Sequence, residues 1–86
     1  MYKIPIKLSK WISVSGSRVV DIEKTFEVTF DFYPELNEVV FKIESEVRAM
    51  KTHENDMISI EIKKPDGSIW YSGITENGGL HGVSTS

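Results

Sequence analysis

Residues 34–51 read PELNEVVFKIESEVRAMK, and whether they coil or extend decides the fold. Coiled, they gather Leu36, Val39, Val40, Ile43, Val47 and Met50 into one arc, with Glu38/Lys42 and Glu44/Arg48 as favourable pairs four apart. Extended, they set Val39, Phe41, Ile43, Val47 and Ala49 against Val40, Lys42, Glu44, Glu46 and Arg48. The helix leaves Phe41 outside; the strand leaves Val40 and Met50 outside. The β-branched and aromatic cluster from Val39 to Ile43 favours the strand, because such side chains lose rotamer freedom against a helical turn and fit a pleated surface. The expectation is therefore an all-β fold, a small antiparallel five-stranded sandwich or half-open barrel. The alternative is an α+β fold, a β-β-α-β-β sheet with one helix at about residues 35–51.

Upstream lies the longest alternation in the chain, Val19 to Tyr33. Val20, Ile22, Phe26, Val28, Phe30 and Phe32 share one parity; Asp21, Glu23, Thr25, Glu27, Thr29 and Asp31 share the other. Period two predicts a half-buried strand with one apolar wall and one polar wall. Tyr2 to Val14 repeats the pattern, with Lys10 as the one charge on its apolar face and Pro5 predicting a sheet edge over its first half. Between them, Ser15-Gly16-Ser17 is a turn signal. For the apolar walls to coincide, Ile6 must face Phe26, Ile4 must face Val28 and Tyr2 must face Phe30. A strict two-residue turn would cross the walls, so an odd-length loop, pairing Ile12 with Val20, or a bulge is required.

Downstream, Met57 to Lys63 is a strand with Ile58, Ile60 and Ile62 on one face, and Lys64-Pro65-Asp66-Gly67-Ser68 is the strongest turn signal present. A loop of Pro65 to Gly67 would place Ile62 opposite Trp70 and Ile58 opposite Ile74, leaving Ile69 and Tyr71 on the other face. The phrase from His53 to Gly67 resembles the strand and turn common in β-sandwich domains, including the jelly-roll processing domains of convertases; generic turn chemistry carries the likeness, and it names no family. Residues 1–75 are expected to form a single β domain and 76–86, rich in Gly and Ser, a mobile tail.

Composition narrows the function. The chain has 86 residues, no cysteine and a formal charge of −3, with 40% hydrophobic and 27% charged residues. That is ordinary globular composition. No thiolate metal site or disulfide is available, and the overall field does not draw the chain to phosphate backbones. No apolar run reaches the roughly 20 residues that cross a bilayer, and the N-terminus lacks the continuous apolar core of a signal peptide, so the expected location is the cytoplasm.

Candidate sites are few. Asp21, Glu23, Glu27 and Asp31 form an acidic wall, and carboxylates two residues apart on a strand, as Asp21 and Glu23 are, lie roughly 6.6 to 6.8 Å apart, close to the phosphate spacing of a nucleic-acid strand. That suits an acidic inhibitor, of the sort phages and mobile elements encode, blocking a basic, nucleic-acid-binding surface. The derived register also sets Lys3 and Lys7 beside Glu23 and Glu27, which makes a solvated charge ladder. Thr52 to Asp56, THEND, supplies too few ligands for calcium or zinc. No nucleophile or acid–base constellation stands out, so no catalytic residue, cofactor, metal or small-molecule substrate is expected, and an enzyme is disfavoured. The apolar residues left on outer faces are Trp11, Val19, Val40, Met50, Ile69 and Tyr71. The leading expectation is a non-enzymatic interaction or structural module that self-associates as a homo-oligomer, or binds a protein partner, through a sheet edge or an outer aromatic patch of Trp11, Ile69, Trp70 and Tyr71.

Overall fold

A computed structural model describes residues 1–53, 56–76 and 79–84. Residues 36–50 are helical, contrary to the strand expected from their β-branched content. The helix, α1 (Leu36–Met50), starts where Glu38 Oε1 accepts the Glu35 backbone N–H at 2.9 Å, and Arg48 pairs with Glu44 one turn away at 3.7 Å. Val39, Ile43 and Val47 form its buried stripe, flanked by half-buried Leu36, Val40 and Met50. Phe41 is 76% exposed, the cost that the helical reading carries. Tertiary packing overrides propensity here. A sheet with one apolar face needs a cover, and only the helical period turns all of these apolar side chains the same way.

The cover lies on a single antiparallel sheet of β1 (Tyr2–Val14), β2 (Ser17–Phe30), β3 (Met57–Lys63), β4 (Ile69–Glu76) and β5 (Gly79–Ser84), in the order β2-β1-β3-β4-β5. The architecture is thus mainly antiparallel sheet with one helix, an α+β arrangement, and the described residues form one helix-covered sheet in place of the expected sandwich. The likeness of the His53–Gly67 hairpin to sandwich domains does not extend beyond that hairpin. Gly79–Ser84, read from sequence as part of a tail, pairs with β4 from Tyr71↔Ser84 to Glu76↔Gly79. Backbone pairing makes little demand on side chains, so a glycine-rich segment can still add to an open edge.

The core is Ile4, Ile6 and Leu8 from β1, Ile58, Ile60 and Ile62 from β3, Trp70 and Tyr71 from β4, and the helical stripe. Parity set the β1–β2 register as expected: Tyr2 faces Phe30, Ile4 faces Val28 and Ile6 faces Phe26. The loop does not. Ser15 (φ 52°) and Gly16 (φ 82°) make a two-residue turn with both residues left-handed, the hairpin geometry that matches strand twist. The walls are reconciled by a bulge: Lys10 faces Ile22 and Trp11 faces Val20, so Asp21 is the extra residue and Ile12 faces Val19 instead of Val20.

A second bulge changes β4. Ile62 faces Tyr71 and Ile58 faces Thr75, while Lys63 faces Ile69, so Trp70 is the extra residue and the expected Ile62/Trp70 and Ile58/Ile74 pairs do not form. Both Trp70 and Tyr71 are therefore turned inward, each 8% exposed. The turn itself is as its residues dictate. Asp66 Oδ1 accepts the Ser68 N–H at 2.9 Å, and Gly67 takes φ 92°. β1 meets β3 only from Ile6↔Ile62 to Trp11↔Met57, so residues 2–5, Pro5 among them, lie at an edge on that side. Among the described residues no helix is long and apolar enough to cross a membrane.

Candidate interaction surface

Strand order leaves β2 at one margin of the sheet. Its 14 residues make it the longest strand, and one of its two backbone edges pairs with β1. Past the Asp21 bulge the strand runs without interruption from Ile22 to Phe30. On the helix side of that run, Phe26, Val28 and Phe30 are half-buried and Ile22 is exposed. On the uncovered side stand Glu23, Thr25, Glu27 and Thr29, all exposed.

An inward-facing lysine ordinarily guards such an edge. Here Lys24 is on the helix side, ion-paired with Glu46 of α1 and 5.5 Å above the Phe26 ring. Its charge is answered within the chain and its stem covers apolar surface. The guard is folded away from the margin.

Beyond Trp11↔Met57 the hairpin continues with no third strand among the described residues, and the molecule is 44 Å long against 21 and 20 Å across. Ile12, Val14 and Val19 stand on this projecting end, and Ile22 and Val20 on the two rungs just before it, Val20 turned to the open face beside Trp11; each of the five is 37% to 49% exposed. Such a cluster on a small domain marks an interaction site or an aggregation hazard.

The sheet face away from α1 carries a shallow groove of about 330 Å³ with Lys7, Ser9, Trp11, Glu23, Ser59 and Glu61 along it. Trp11 Nε1 donates to Ser59 Oγ at 3.0 Å, which lays the indole across β1 and β3. Lys7 lies 3.9 Å from Glu23, one rung of the charge ladder that the register implies.

The sequence-derived sites are dispersed by the fold. Of the expected aromatic patch, Trp11 is half-buried on the open sheet face, Ile69 is exposed at the start of β4, and Trp70 and Tyr71 are in the core. The Trp70 bulge is the reason, because an alternation rule cannot foresee two successive residues turned inward. Trp70 instead closes a corner with Tyr33, ring centroids 5.8 Å apart, and Tyr33 meets Tyr2 edge-on at 5.3 Å. Glu23 and Glu27 share the open face, Asp21 occupies the bulge, and Asp31 follows the end of β2; all four are exposed. In THEND, residues 54 and 55 lie outside the described residues. Asp56 accepts the Thr52 and His53 backbone N–H groups at 2.7 and 2.9 Å, which hold its carboxyl well below the usual carboxylate range, and Lys10 lies 3.4 Å away. Thr52, His53 and Asp56 are thereby clasped together through backbone. Among the described residues no group of three or more His, Cys, Asp or Glu side chains is placed to hold a metal.

What sequence reasoning missed is the projecting end. The alternation of β1 and β2 revealed apolar walls along their full length, and the shortness of β3, seven residues against 13 and 14, was the available sign that the walls would outrun their cover. Compared with known proteins, the chain matches no family model, no curated protein and no solved structure.

Proposed function

We propose that this protein is a non-enzymatic interaction module that self-associates through the margin of β2. The observation that carries the reading is the uninterrupted run from Ile22 to Phe30 at the sheet margin, continuous with the exposed apolar end of the hairpin. An unpaired strand edge offers a row of backbone donors and acceptors, and a second strand satisfies them while covering the flanking side chains. The disarmed Lys24 supports the same reading. Sedimentation velocity across a concentration series tests it: a dimer is the expected species, and a monomer at every concentration up to the millimolar range overturns the proposal.

The acidic-inhibitor reading rests on the exposure of Asp21, Glu23, Glu27 and Asp31. Lys7 beside Glu23 reduces the field those carboxylates project. Changing all four to their amides discriminates the two. Capture of a basic partner that disappears in the amide variant favours the inhibitor, whereas self-association that persists in it favours the module.

A further inference from the structure

We infer that the second copy adds antiparallel to β2 about a two-fold axis at Phe26, joining two five-stranded sheets into one of ten strands. This rests on the self-association just proposed and goes further by fixing the occupant and the register. Three features of β2 lead to it.

Parity comes first. Directly opposed residues in an antiparallel pair share a face, so a two-fold axis centred on a residue sets apolar wall beside apolar wall, with both helices on one side. An axis centred between residues would set Phe26 and Val28 against the neighbour's Glu and Thr wall. Only residue-centred axes remain.

Charge then removes four of those. An axis at Glu23 opposes that carboxylate to itself, and one at Lys24 opposes two ammonium groups. An axis at Thr25 sets Glu23 against Glu27, and one at Glu27 again opposes a carboxylate to its own copy. Like charges directly opposite destabilise a pair of strands. At Phe26 the pairs are Ile22 with Phe30, Glu23 with Thr29, Lys24 with Val28, and Thr25 with Glu27. No like charges face each other, and each carboxylate on the open face stands opposite a threonine.

Length selects the same axis. The regular run begins after the Asp21 bulge at Ile22 and ends at Phe30, nine residues centred on Phe26. Only there does the whole run overlap with its copy; an axis at Val28 or beyond shortens the ladder to five residues or fewer. Past the ends of the ladder, Asp21 of one copy approaches Asp31 of the other, a repulsion that salt screens. Self-association in this register is therefore tighter at 0.5 M than at 0.02 M sodium chloride.

The chain has no cysteine, so introduced thiols report the register without background. Thr25 and Glu27 are both exposed, and Thr25→Cys and Glu27→Cys should fold, which a thermal melt of each checks. Under mild oxidation an equimolar mixture of the two is expected to give the mixed disulfide as the main covalent dimer, because opposed Cα atoms at roughly 4.5 to 5.5 Å suit the bond. Neither variant alone should cross-link, since each thiol then meets its copy only on the diagonal, roughly 7 to 8 Å away. Cross-linking of Thr25→Cys alone or of Glu27→Cys alone overturns this register in favour of an axis at that residue. A dimer in sedimentation with no cross-link in the mixture overturns β2 as the seam. A monomer in sedimentation defeats the preceding proposal itself, and this one with it.

Discussion

Lys10 and Asp56, 46 positions apart in the chain, meet with Nζ 3.4 Å from Oδ2 while the lysine side chain is almost wholly buried. Thr52 Oγ1 accepts a second bond from the same ammonium at 2.9 Å. The one charge on the apolar wall of β1 is thus satisfied by the loop that leads from α1 into β3. Burying an ammonium without such partners would be prohibitive.

This pair gives a pH signature. The Asp56 carboxyl is held well below its ordinary value of 3.8, chiefly by the His53 and Thr52 backbone N–H groups, with Lys10 adding to them. A depressed folded-state pKa means that the contribution is fully present above 3.8 and is lost as pH falls below that value toward the folded one. Melting temperature is expected to fall from about pH 4 downward, and Asp56→Asn to be less stable than wild type at pH 7 with a flatter acid limb. Lys10→Met, which removes the charge and keeps the volume, should be much milder than Asp56→Asn. Thermal melts of the three proteins between pH 2 and pH 7 check the order.

The helix makes a second contrast. Ile43 is 1% exposed and Phe41, two positions earlier, is 76% exposed. Ile43→Ala is expected to cost about 2 to 5 kcal/mol through lost burial and the cavity left behind. Phe41→Ala should stay within about 0.5 kcal/mol of wild type. Urea unfolding curves followed by circular dichroism distinguish this from a strand at the same positions, in which both side chains would share one face.

Thr75 offers a gain. It is buried opposite Ile58, and its Oγ1 has no hydrogen-bond partner among the described residues. Thr75→Val replaces an unsatisfied hydroxyl with a methyl of similar size and is expected to raise stability by roughly 1 to 2 kcal/mol. A rise in urea midpoint at unchanged slope is the readout.

How far these relationships could be read in advance depended on their range. Alternation with a strong parity, as in Ile4, Ile6 and Leu8 or Ile58, Ile60 and Ile62, fixed strand faces and three correct rungs between β1 and β2. The turn from Lys64 to Ser68 declared itself because Pro, Asp and Gly each have one conformational use there. Segment 36–50 defeats local reading because Val39, Ile43 and Val47 satisfy both periods, and only the bare face of the sheet decides between them. Parity required an odd-length loop or a bulge in the first hairpin, and the structure takes the bulge; its place at Asp21 was beyond alternation, as was the bulge at Trp70, which moved Tyr71 from surface to core. The partner of Lys10 was equally out of reach, since nothing local announces an acceptor 46 residues away.

The seam between β1 and β3 joins segments that lie on opposite sides of the helix in the chain, whereas β1 and β2 are neighbours across two residues. During synthesis the first hairpin therefore leaves the ribosome with a complete ladder and a naked greasy flank, and must wait for some thirty further residues, at roughly 5 to 20 per second, before its proper lid and third strand emerge. In that interval the same wall that later seats α1 is open to any other hairpin nearby. Slow translation and high expression should accordingly push this protein toward inclusion bodies sooner than its final stability would suggest.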